Sequence, residues 1–169
     1  MIHVCSLALL HDTVAATGAR QVVSLLGSED NLMRPPGVAP GDHLWLQFHD
    51  INEPRDGHVH PAGTHIEQLI GFVGRWERTS PLVVHCYAGV SRSTAAAYVA
   101  VCTLNPGRSE ASIAQALRRA SPTATPNIRI VALADDMLGR NGRMVDAITA
   151  IGPGALAQAF PFRLDLYGH

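Results

Sequence analysis

The chain has 169 residues, of which 47% are hydrophobic and 16% charged, and its formal net charge is −1 with nine histidines neutral. This balance fits one globular domain and excludes a disordered or fibrous chain, and the near-zero charge offers no electrostatic footprint for nucleic acid or an anionic membrane. All thirteen basic residues are arginine, which excludes a phosphate-binding loop ending in Gly-Lys-Ser/Thr, a lysine Schiff base and the kinase lysine.

In chain order, IHVCSL (2–7) and QVVSLL (21–26) are β-branched and apolar, and they flank an Ala-rich stretch ending at Gly18. That is the pattern of strand, helix, strand. The opening MIHVCSLALLHD has neither the apolar length nor the basic leader of a signal peptide, and no uncharged apolar run of about eighteen residues follows it. Residues 29–42 are Pro- and Gly-rich, hence a loop with room for one helical turn. HLWLQF (43–48) alternates as a strand does, and residues 49–63 return to turn-forming types.

Thr64 with Glu67 reads as a capping box, and Ile66, Leu69, Ile70, Val73 and Trp76 recur at helical spacing, predicting a helix that ends near Arg78. PLVVH (81–85) is an all-apolar run suited to a strand buried on both faces. STAAAYVAVCTL (93–104) is apolar or small all round, so it predicts a buried central helix, stopped by Asn105-Pro106-Gly107. Ser109 caps a helix carrying Ile113, Leu117 and Ala120; Pro126-Asn127 begins another with Ile130, Leu133, Ala134 and Met137; a shorter one covers 142–151. The tail 152–169 carries no readable period. Together these predict an α/β fold: one domain over 1–169, with a central, mostly parallel twisted sheet of about four to five strands flanked by helices. Cys5, Cys86 and Cys102 are widely spaced without Cys-x-x-Cys, so neither a disulfide framework nor a zinc site is written here. A reducing, cytoplasmic setting is expected.

The most informative segment joins the strand ending at His85 to the helix starting near Ser91–Ser93. Amides of such a loop and of the helix N-terminus converge on one anion-sized hole. Gly89 lets the chain bend without a Cβ clash, and Arg92 closes the hole with a planar fork matched to two phosphoryl oxygens. Cys86 then sits on the floor, where the same donors stabilise a nucleophilic thiolate. Ser93 can place its hydroxyl near the sulfur to help it leave a phosphocysteine. His85 reads as a residue that fixes loop geometry rather than as a base. A buried structural cysteine is the alternative for Cys86, but it leaves Gly89, Arg92 and Ser93 as coincidences.

The run His85-Cys86-Tyr87-Ala88-Gly89-Val90-Ser91-Arg92-Ser93 resembles the signature loop of the cysteine-dependent protein tyrosine phosphatases, and its Gly-x-Ser-Arg-Ser ending is similar to their dual-specificity branch. The resemblance extends more weakly from the strand at 21–26 to the helix beginning at Pro126-Asn127, about two-thirds of the chain. The length suits that branch better than the larger receptor-type enzymes, and the low-molecular-weight branch, whose loop lies at the chain's start, does not fit. What the resemblance implies is a phosphocysteine intermediate at Cys86, phosphate or sulfate held by Tyr87, Ala88, Gly89, Val90, Ser91 and, dominantly, Arg92, no cofactor and no metal. It also implies a mobile loop that brings an aspartic acid to the leaving oxygen. The implied substrate is a phosphotyrosine-containing protein or another phosphate monoester.

For that acid, residues 49–63 offer Asp50, Glu53 and Asp56. Asp50, in His-Asp-Ile just after the strand, has the placement of the dual-specificity pattern and is favoured. Asp56, before Gly57 and thirty residues ahead of Cys86, resembles the Asp-Gly loops of some atypical relatives and is the alternative. His49, His58, His60 and His65 match no zinc spacing and are expected to be solvated. Arg118, Arg119 and Arg129 form either a second anion patch or a solvated face. Trp45 and Trp76 are expected in the core, and Tyr87 at the pocket mouth. Competing readings are a phosphoinositide or inositol phosphate phosphatase, disfavoured by a lysine-free loop, a rhodanese-type sulfurtransferase, which needs no upstream acid, and a catalytically dead phosphopeptide-binding module. A reversible disulfide from Cys5 or Cys102 to Cys86 is a further idea, for which sequence gives no distances.

Overall fold

The computed structural model describes residues 1–167. Its β-branched runs form one five-stranded sheet of β1 (Ile2–Ser6), β2 (Gln21–Leu26), β3 (His43–Gln47), β4 (Leu82–Cys86) and β5 (Phe162–Leu164), in the order β3-β2-β4-β1-β5. β1–β4, β2–β4 and β2–β3 are parallel, and β5 alone runs antiparallel, against β1. All five residues of β4 are buried, which explains why LVVHC reads as a continuous apolar run.

The sheet separates two layers. On one side α1 (Leu10–Thr17) packs on β1 and β4 over Cys5, Val22 and Val83. On the other, α3 (Arg92–Leu104) lies along the sheet, with every residue from Arg92 to Cys102 buried. Ala95, Ala96, Ala97 and Ala100 are wholly covered, because side chains this short let the helix approach the strands closely and still be wrapped by its neighbours. Those neighbours are α2 (Gly63–Arg75), α4 (Glu110–Ala120) and α5 (Ile128–Met137), with α6 (Arg143–Ile151) resting on α4 and α5.

Several expectations are corrected. The capping box at Thr64 and Glu67 does not form: the N-cap of α2 is Ala62, two residues earlier, and His65 Nδ1 accepts from the Ala62 amide at 3.1 Å. The helix ends at Arg75 because Trp76 turns to extended backbone, buries its ring and donates Nε1 to the Ser80 carbonyl at 3.0 Å. Trp45 is 40% exposed, not core. It alternates with buried Leu46 on edge strand β3, and the α1 layer lies over β1 and β4 instead. The unread tail supplies β5, too short to show a period in sequence. The expected caps at Ser109 and Asn127 do form, accepting from Ser112 N at 3.4 Å and Ile130 N at 3.1 Å. Among the described residues no helix is long and apolar enough to cross a membrane.

One buried ion pair ties the helical layer together. Glu110, 8% exposed at its side chain, accepts from Arg140 Nη1 at 2.7 Å, and Arg140 Nη2 also donates to the Cys102 carbonyl at 2.7 Å. Removing one partner leaves a buried charge uncompensated, so Glu110→Ala is expected to lower stability by roughly 3–5 kcal/mol, read from the midpoint of urea unfolding.

Candidate active site

β4 ends at Cys86 and α3 begins at Arg92. Between them the chain turns its carbonyls outward. Tyr87 O accepts from Leu7 N at 3.1 Å, Val90 O from Thr125 N at 3.0 Å and from Thr94 Oγ1, and Ser91 O from Ala95 N at 3.0 Å and Asn127 N at 3.3 Å. The amides are left largely unclaimed. Gly89 N donates to Cys86 Sγ at 3.3 Å, and those of Tyr87, Ala88, Val90, Ser91 and Arg92 have no acceptor among the described residues. Gly89 is obligatory twice over: its φ is +75°, and a Cβ there stands 2.9 Å from the backbone of Cys5 and Ser6. The loop rests directly on the end of β1.

Cys86 is 2% exposed, and Ser93 Oγ lies 3.1 Å from its sulfur. Arg92, 7% exposed, donates Nη1 to the Phe48 carbonyl at 2.9 Å, while its Nε is buried without a partner among the described residues. A buried unpartnered guanidinium N–H is costly unless an acceptor arrives, and the loop therefore holds donors in need of one. Tyr87 is 63% exposed at the rim.

His85, fully buried, places Nε2 2.6 Å from Ser24 Oγ, which is 2.8 Å from His43 Nε2. Its Nδ1 has no partner among the described residues. Burial, with the nearby His43 and Arg92 adding to it, pushes His85 down to about 4. The imidazole is therefore neutral at pH 7 and serves as a strut. Sequence reasoning missed Ser24 and His43; the available signal was one polar residue inside the otherwise apolar QVVSLL.

Asp50 and Asp56 part company. Asp50 Oδ1 accepts from Ser91 Oγ at 2.8 Å and Asn127 Nδ2 at 2.8 Å, so this carboxylate touches the loop. Asp56 and Glu53 are exposed, and neither carboxylate has a hydrogen-bond partner among the described residues. Asn127 was read only as a helix start, and nothing in its spacing pointed to Asp50. Ser91, expected to hold phosphate, directs its hydroxyl to Asp50 instead and has only its amide for an anion.

Three of the four histidines, His49, His58 and His65, serve the backbone or one another, and His60 makes no hydrogen bond among the described residues. His49 Nδ1 accepts from Val59 N at 2.9 Å and its Nε2 contacts Glu29 at 3.1 Å; His58 packs edge-on against His49 at 4.7 Å; His65 holds the start of α2. Among the described residues no three His, Cys, Asp or Glu side chains converge as metal ligands do. The arginines diverge: Arg118 donates to the carbonyls of Pro122 at 2.8 Å and Gly152 at 2.6 Å, Arg129 to that of Pro61 at 3.4 Å, and Arg119 lines a separate cavity with Arg108 and Arg163. Cys102 is near the far end of α3, roughly 15 Å of helix from Cys86, too far to pair with it. Cys5 lies one register position from Cys86 on the adjacent strand, with its side chain packed in the α1 layer. Burial also pushes Cys5 up to about 11 and Cys102 up to about 12, which keeps both as thiols.

No family model and no curated protein matches the sequence. Solved structures do match the fold. The protein described as DUSP15 superposes with TM-score 0.64 at 17% identity, covering 88% of this chain and 90% of the other. Human DUSP28 gives 0.63 at 22% identity over 83% and 89% of the two chains, and PTPMT1 gives 0.61 at 15% over 90% and 96%. The chain thus shares its fold with solved dual-specificity phosphatases and with PTPMT1.

Two outcomes follow from this geometry. Gly89→Ala is expected to lower the thermal midpoint and disorder the loop, measured by calorimetry and by loss of phosphate or sulfate binding. Because folded His85 holds its proton only below about 4 whereas its ordinary value is 6.5, the unfolded chain binds more protons between those values. Stability is thus complete above about 6.5 and falls as the pH drops toward 4; His3, His43 and His65, also lowered by burial, act in the same direction. Unfolding midpoints across that range check it, and the slope flattens in His85→Asn.

Proposed function

We propose that this protein hydrolyses phosphate monoesters through a phosphocysteine on Cys86, with phosphotyrosine in proteins as its substrate class and phosphoserine or phosphothreonine as further substrates. The observation that carries the reading is the set of donors left without acceptors in the loop after Cys86: the amides of Tyr87, Ala88, Val90, Ser91 and Arg92 and the buried Nε of Arg92. A tetrahedral dianion supplies the acceptors they lack.

In the first step the Cys86 thiolate attacks phosphorus from beneath, the bond to the leaving oxygen breaks, and that oxygen takes a proton from Asp50. Arg92 and the amides hold the equatorial oxygens, where charge accumulates. In the second step water attacks the phosphocysteine, Asp50 takes the proton back, and the S–P electron pair returns to sulfur. Ser93, at 3.1 Å, donates to the departing thiolate. The Phe48 carbonyl fixes Arg92 throughout.

A sulfurtransferase has no use for Asp50 beside the loop, and a mere binding module has none for Ser93 against the sulfur. One structural neighbour, PTPMT1, is also known in complex with PI(5)P, at TM-score 0.60. The loop here contains no lysine to meet additional phosphates, which favours substrates with a single phosphate.

Cys86→Ser is expected to abolish phosphate release from aryl phosphates and phosphotyrosine peptides, and Arg92→Ala to raise KM and lower kcat together. Asp50→Asn is expected to slow phenyl phosphate by about 10²–10⁴-fold and esters of acidic phenols much less, while Asp56→Asn stays near the parent rate. Activity persisting in Cys86→Ser ends the reading. Running PI(5)P beside the peptides separates lipid from protein substrates.

A further inference from the structure

Asn127 stands on the turn before α5 and is 5% exposed. Its side-chain Oδ1 is committed to the helix, accepting from Ile130 N at 3.1 Å. With that oxygen fixed, Nδ2 is the end of the amide that faces Asp50 Oδ1, at 2.8 Å. The orientation follows from chemistry, since a flipped amide puts N–H against N–H at the cap and oxygen against carboxylate at Asp50. Asn127 N also donates to the Ser91 carbonyl at 3.3 Å, and Ser91 Oγ donates to the same Asp50 Oδ1 at 2.8 Å. Three elements thereby meet on one oxygen: the phosphate loop, the acid loop and the start of α5.

An oxygen that accepts two N–H and O–H bonds is poorly suited to carry a proton of its own, because that proton has to displace a donor. The other oxygen, Oδ2, has no partner among the described residues. Resting on the phosphatase reading above, we propose that Asn127, seconded by Ser91, is the positioning residue that assigns the transferable proton of Asp50 to Oδ2 and sets its reach relative to Cys86. Ser91 is the softer of the two, since a hydroxyl can turn and accept; the Asn127 amide nitrogen can only donate. In the forward step the Oδ2–H bond breaks as the P–O bond breaks. The P–O electron pair and the proton both end on the leaving oxygen, and Oδ1 keeps its two donors throughout. In the return step Oδ2 takes a proton from the attacking water, so Asp50 ends the cycle as it began.

The test separates the two tasks of Asn127. Asn127→Asp keeps an oxygen for the α5 cap, where aspartate serves as well as asparagine, but removes the donor to Asp50. Using the full chain and a series of aryl phosphates of increasing phenol basicity, we expect the thermal midpoint to stay within a few degrees of the parent. The dependence of kcat/KM on leaving-group basicity steepens, with phenyl phosphate slowed about tenfold, a fraction of what general acid catalysis contributes. The alkaline limb of the pH profile moves to higher pH, since a second carboxylate beside Asp50 makes its proton harder to lose. Asp50→Asn combined with Asn127→Asp is expected to be no slower than Asp50→Asn alone. Ser91→Ala, a second route to the same oxygen, steepens the dependence in the same direction by a smaller factor.

Uniform slowing of every ester in both Asn127→Asp and Ser91→Ala, with slope and limb unmoved, overturns the assignment and leaves Asn127 a helix cap. No Cys86-dependent turnover by the unsubstituted chain overturns the phosphatase reading and this proposal with it. Turnover that depends on Asp50 but ignores Asn127→Asp overturns this proposal alone.

Discussion

The direction of three peptide groups, those carrying the carbonyls of Tyr87, Val90 and Ser91, governs the loop after β4. Carbonyls of the segment after β4 are held by Leu7, Thr125, Asn127 and the first turn of α3, while most of the intervening amides find no acceptor among the described residues. Backbone donors normally find a partner in secondary structure or water. Here they are held open by acceptor contacts made elsewhere, and those anchors lie on three parts of the fold: the turn after β1, the turn before α5 and α3 itself. The cradle is thus a product of the tertiary fold and cannot be a property of the loop sequence alone.

The same logic extends to the side chains around it. Arg92 is aimed by the Phe48 carbonyl at the end of β3, His85 by Ser24 on β2, and Gly89 is pressed onto β1. Each strand bordering the site contributes one contact that fixes one functional group. The cost is a buried guanidinium N–H and a buried imidazole nitrogen without partners, a stability penalty of the kind expected where donors are organised in advance of a ligand. Rigid placement of this sort is what lets electrostatic stabilisation act without reorganisation during the reaction.

Much of this was legible in the sequence, for identifiable reasons. Strands β1, β2 and β4 and helices α3, α4 and α5 announce themselves through apolar runs, period and caps, and the Cys86–Ser93 segment through residue types that chemistry requires at fixed spacing. Illegible parts were those decided by contacts distant in sequence. Trp45 carries the same apolar character as a core residue, and only the position of β3 at the sheet edge exposes it. β5 has three residues and exists because β1 offers it an edge. Asn127 and Ser24 look like a cap and a stray polar residue until the fold brings Asp50 and His85 beside them. Asp50 and Asp56 were nearly equivalent as loop residues; contact with Ser91 and Asn127 distinguishes them.

The support that β1 lends the loop has a kinetic side. Ser6 pairs with Cys86 across about eighty positions of chain, and β1 enters the sheet between β4 and β5, which comes later still. Closing so distant a parallel pair is slow because chain entropy is lost before any contact rewards it. The contacts that seat the loop after β4 on β1 therefore depend on one of the longest-range pairings in the sheet.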